Sequence, residues 1–94
     1  MTSNAPSLNH PQLSPHARYR WDSIRRQHQL VFPEGLLILN ETGTAILKLC
    51  DGRPLDQLLQ ELQEQFHNSV REQEVITFLR TLVTKGLVND IAPS

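Results

Sequence analysis

The sequence predicts an α+β fold, a three-stranded antiparallel sheet followed by three helices and a short C-terminal strand, related in outline to winged helix-turn-helix domains. Three observations predict it. Tyr19 and Trp21 alternate with Arg18, Arg20 and Asp22, the period of a half-buried strand. Two apolar runs, Gln29 to Phe32 and Leu36 to Leu39, flank Pro33-Glu34-Gly35, the chemistry of a tight turn. From Asn40 to Gly86 the apolar residues recur at three- and four-residue intervals between capping residues and glycines, the pattern of helices.

A chain of 94 residues has room for one domain. A domain of this size buries somewhat under ~70% of its unfolded surface, enough for a core without disulfides or metals. Residues 1–17 carry Pro6, Pro11 and Pro15 among polar residues with no period, and read as a flexible arm. The domain then covers residues 18–91, and residues 92–94 are a tail.

The first strand, RYRWD, has a basic outer face. Ile24 falls out of phase with Trp21, which places a bend between Asp22 and Arg26 before the second strand, so the two pair as a hairpin. The third strand, Leu36-Leu37-Ile38-Leu39, is apolar on both faces. One face suffices for the core, so the other must meet something else.

Asn40 or Thr42 caps the first helix, in which Ala45, Ile46, Leu49 and Cys50 share a face and which Gly52 ends. Pro54 opens the second, Leu55 to Phe66, with Leu55, Leu58, Leu59, Leu62 and Phe66 as its stripe. Ser69 and Glu72 form the S-x-x-E capping box of the third, which ends at Gly86. Val75, Leu79, Leu82 and Val83 make its stripe, and Ile76 and Phe78 widen it to more than half the circumference. Leu87, Val88 and Ile91 give the short last strand.

These residues are poor material for catalysis. The four histidines, at 10, 16, 28 and 67, share no helical turn, and Cys50 stands alone, so neither a zinc site nor an internal disulfide is expected. The glycines are isolated at turns and caps, not grouped in a phosphate loop. Glu61 with Glu64, and Glu72 with Glu74, fall on solvated helix faces. The expectation is a non-enzymatic protein without metal or cofactor.

Charge weighs against nucleic acid. Residues 1–30 sum to +3 through Arg18, Arg20, Arg25 and Arg26 against Asp22, while residues 31–94 sum to −4. The helices that would meet phosphate carry Asp56, Glu61, Glu64, Glu72 and Glu74, which leaves binding through the hairpin as the nucleic-acid alternative. The longest apolar run, Leu36 to Leu39, is far short of the ~20 residues that span a membrane, and no signal peptide opens the chain, so the expected location is the cytoplasm.

The surplus apolar face of the third strand leaves three readings open. It belongs to the core, it pairs with a second copy, or it accepts an added peptide strand against the third helix. The edge allows either a monomer or a homodimer, swapped if the bend between Asp22 and Arg26 opens.

The stretches RYRWD, RRQHQLVFPEG, LLILNETGTAIL and LCDG, in that order over residues 18–52, resemble the PqqD family of pyrroloquinoline quinone (PQQ) biosynthesis. The helices extend the likeness to about residue 90, while the arm lies outside it and Pro54 replaces the usual Ser or Thr cap. The resemblance implies a RiPP recognition element: a peptide chaperone that binds the precursor peptide PqqA and presents it to PqqE, a radical S-adenosylmethionine enzyme that carries out the chemistry. It implies that the peptide adds beside Leu36, Leu37, Ile38 and Leu39 and packs on Val75, Phe78, Leu79 and Leu82. Arg25, Arg26 and His28 are candidates for docking an acidic peptide segment or the enzyme.

Overall fold

The structure, a computed structural model, describes residues 8–91. Eight elements follow in order: β1 (Pro11–Leu13), β2 (Arg18–Asp22), β3 (Gln27–Phe32), β4 (Gly35–Leu39), α1 (Glu41–Lys48), α2 (Leu55–Gln65), α3 (Glu72–Thr84) and β5 (Val88–Asp90). The expected α+β order of three strands, three helices and a last strand is present, with one strand added at the front.

That strand corrects the expectation of a flexible arm. β1 pairs antiparallel with β5, Pro11 opposite Asp90 and Leu13 opposite Val88. Leu8 and Ala17 are buried, Leu13 N–H donates to Cys50 O at 2.9 Å, and Ser14 N–H donates to Leu87 O at 2.8 Å. Prolines do not prevent this, because Pro11 opens its strand, a position that tolerates the ring. Residues 1–7 of the proposed arm, and 92–94 of the proposed tail, lie outside the described residues.

The larger sheet has the order β2-β3-β4, all antiparallel, with Leu30 opposite Tyr19 on one side and Leu37 on the other. Its sharpest bend is built on Asp22, whose side chain is almost fully buried. Asp22 Oδ1 accepts the N–H of Ile24 at 3.0 Å and of Arg25 at 3.2 Å, while Oδ2 accepts Gln29 Nε2 at 3.2 Å. The Arg25 amide, followed by Ile24, holds this carboxyl below the usual aspartate range. The same contact satisfies the buried Gln29.

Asn40 caps α1 as expected, its Oδ1 accepting Gly43 N–H at 2.7 Å. Two helix expectations change. The helix ends at Lys48, so Cys50 sits just beyond it, buried, its Sγ donating to Ile46 O. The Ser69–Glu72 capping box does not form: Ser69 Oγ donates to Phe66 O at 2.6 Å, and α3 starts after Arg71 without a side-chain cap. Arg53 ties the α1–α2 connection together, 2.7 Å from Asp51 and 2.6 Å from Glu61, and brings the Asp51 carboxyl down to about 2.

One core joins these elements. Leu30 and Leu39 from the sheet meet Ile46 and Leu47 of α1, Leu58 and Leu62 of α2, Val75, Leu79 and Leu82 of α3, and Val88 of β5.

Candidate functional site

β4 is the site's first wall. It has β3 on one side and, among the described residues, no strand on the other, so alternate N–H and C=O groups face outward along a free edge. The strand's two apolar faces part as its period requires. Leu39 is buried and Leu37 half-buried toward the core, while Leu36 is 47% and Ile38 66% exposed on the opposite face.

At the end of β4, where Asn40 turns into α1, a cavity of about 240 Å³ opens between α1 and α3. Asn40, Gly43 and Ile46 line one side, and Val70, Val75 and Phe78 the other. Gly43 makes the approach of α3 possible. A Cβ there would stand 3.1 Å from Asn40 Oδ1, tighter than most real contacts, and 3.4 Å from Phe78 Cζ, at van der Waals contact. Val70 is buried and Phe78 half-buried, while Thr42, Ser69 and Glu74 add polar groups, so the cavity joins an apolar patch to a polar margin.

The expected contact residues therefore fall into two groups. Leu36 and Ile38 are offered on β4, and Phe78 is offered on α3. Val75, Leu79 and Leu82 are 0% exposed in this structure. They hold α3 against the core, and of the three only Val75 reaches the cavity. What the sequence reading missed is the third wall, the first turn of α1. Its signal was an N-cap Asn followed three residues later by Gly, a helix start with an open side.

The docking candidates separate in the same way. Arg25 is largely exposed on the hairpin bend, 3.4 Å from Asp22, and Arg26 beside it holds a left-handed φ of 56°. His28 stands away from both, its Nδ1 hydrogen-bonded to Tyr19 Oη at 2.6 Å and its ring 4.9 Å from that of Trp21. Trp21, on the same face of β2 as Tyr19, is 49% exposed.

Other chemistry finds little support. Among the described residues no group of His, Cys, Asp and Glu is placed to hold a metal ion, and no helix is long and apolar enough to cross a membrane. Burial pushes the Cys50 thiol up to about 12, so it is protonated at neutral pH.

Comparison with known proteins agrees with the fold and covers most of the chain. The family described as coenzyme PQQ synthesis protein D (PqqD) matches residues 27–88. A PqqA binding protein of Methylococcus capsulatus is 33% identical over 81 residues, which is 85% of this chain and 87% of that protein. A PqqA binding protein of Azotobacter vinelandii is 37% identical over 71 residues, covering 73% and 77%. The solution structure of the PqqD truncation of Methylobacterium extorquens PqqCD, described as a functional, stand-alone RiPP recognition element, superposes with a TM-score of 0.69. It is 30% identical and covers 85% of this chain and 88% of its own. On these grounds the chain belongs to the PqqD family.

Proposed function

We propose that this protein is the PqqA-binding chaperone of PQQ biosynthesis, that it performs no bond chemistry itself, and that it presents the bound peptide to PqqE. One observation carries the reading: β4 has a free edge that leads directly into the cavity between α1 and α3. Relatives named for PqqA binding supply the peptide's identity.

In this reading PqqA adds as a strand along β4, and main-chain hydrogen bonds supply much of the affinity. Specificity comes from an apolar anchor of the peptide that enters the cavity under Phe78, over Ile46 and Val70. A second copy pairing through β4 would compete for the same edge, so the peptide-competent state is the monomer.

Calorimetric titration of the wild type, Ile38→Asp and Phe78→Ala with PqqA peptide tests the site. Circular dichroism checks that each variant folds, and light scattering follows the oligomeric state. Both variants are expected to lose at least tenfold in affinity. Wild-type binding retained by both folded variants would remove the edge-and-cavity model. Titration with mixed-sequence DNA duplex at low salt addresses the alternative nucleic-acid reading, which requires binding that weakens steeply as salt rises.

A further inference from the structure

The sheet has a second face that adjoins the peptide edge through Leu36 and Ile38 and extends beyond it to β2. Strand register places three rows on it: Arg18, Val31 and Leu36; then Arg20, Gln29 and Ile38; then Asp22 and Gln27. Arg18 and Arg20 form a cationic rail on β2, about 7 Å apart as alternate residues of one strand. Leu36 and Ile38 form an apolar rail on β4.

Neither arginine side chain has an ion-pair or hydrogen-bond partner among the described residues. Asp22, the acidic residue of this face, is taken up by the hairpin bend and Gln29. A groove of about 440 Å³ runs from His16 past both arginines to Val31, Phe32 and Pro33. None of the ion pairs among the described residues engages either arginine.

The two rails are about 10 Å apart, the width of three strands, and a helix is about 10–12 Å across. We propose that the outer face of the β2-β3-β4 sheet is a docking surface for an acidic amphipathic helix. Its carboxylates would meet Arg18 and Arg20, and its apolar stripe Val31, Leu36 and Ile38. Resting on the function proposed above, this helix belongs to PqqE. The peptide's main chain takes the β4 edge and the helix takes the face, so the two bind together and share Leu36 and Ile38. A peptide strand added to β4 also widens the apolar rail, and each ligand then strengthens the other by the same factor.

The test uses the full chain as wild type and as the Arg18→Glu/Arg20→Glu double variant, both sites being exposed. Each is titrated with PqqA alone, with PqqE alone and with PqqE in the presence of PqqA, at two salt concentrations. The expected result is PqqA affinity within twofold of wild type and PqqE affinity at least tenfold weaker. The salt dependence of PqqE binding should be present in wild type and absent in the variant. Unchanged PqqE affinity in the variant overturns the proposal, as does a wild type that does not bind PqqE. Loss of mixed-sequence DNA duplex binding with PqqE binding intact would assign the rail to nucleic acid and overturn it equally. A wild type that binds PqqE but not PqqA overturns the peptide reading instead and leaves the docking face standing.

Discussion

α3 and β4 both bear the apolar residues expected to touch a peptide, and they use them in opposite ways. On α3, Val75, Leu79 and Leu82 are completely buried, and Phe78 alone of the expected contacts is half-open. On β4, the outward pair Leu36 and Ile38 is exposed to a degree that costs a folded monomer apolar contact with water. A helix can turn a wide apolar face into core on several sides, whereas a sheet has only two faces, and among the described residues one of them leaves Leu36 and Ile38 exposed. The helix wall is therefore rigid because the core holds it, and the strand is the adaptable partner.

Substitutions on the two elements separate stability from binding. Leu79→Ala should cost about 2–5 kcal/mol by chemical denaturation, because a fully buried leucine leaves a cavity behind. A loss under ~1 kcal/mol would mean α3 is not the core wall described. Ile38→Asp should move stability by no more than about 0.5 kcal/mol, as exposed sites do. Its tenfold loss of PqqA affinity corresponds to about 1.4 kcal/mol.

Gly43→Ala sharpens the contrast at the cavity. The added methyl would touch Phe78 at contact distance and fill part of the entrance, so peptide affinity should fall a few-fold. Alanine's better helix propensity, worth up to ~1 kcal/mol, offsets the crowding at Asn40, so stability should stay near wild type. An affinity drop matched by an equal stability drop would place the effect in the core instead.

The smallest effect expected is on acid stability. The Asp22 carboxyl has a lowered folded-state pKa, so its contribution is present above the ordinary aspartate range near pH 4 and is lost as pH falls below it. Urea midpoints measured from pH 5 to 2.5 should fall less steeply in Asp22→Asn than in wild type. Parallel curves would show that the hairpin bend does not depend on this charge.

Much of this fold was legible in periodicity. The hairpin, the Pro33-Glu34 turn, the Asn40 cap and all three helices follow from local pattern, because each rests on contacts between near neighbours in sequence. β1 was not legible: three residues are too few to display a period, and its partner β5 begins 75 positions after Leu13. The capping box failed because Ser69 gives its N–H as well as its hydroxyl proton to Phe66 O and the helix has its N-cap at Arg71 instead. At the site, an apolar strand of four residues announced the edge, but nothing in α3's pattern distinguished the half-open Phe78 from the buried Leu79 beside it. That distinction arises only when α1 arrives, with Gly43 against the Phe78 ring.

The pairing of β1 with β5 has a mechanical consequence. Pro11 stands opposite Asp90, so the strand start nearest the N-terminus and the strand end nearest the C-terminus lie side by side. A force applied between the two ends loads the Asn9–Leu55 and His10–Ile91 bonds first and then peels the pair open one rung at a time, from Pro11–Asp90 toward Leu13–Val88. The β2-β3-β4 sheet would feel that load only after this zipper had opened, so the chain can be tethered or fused at both ends from one side without straining the strand edge it offers.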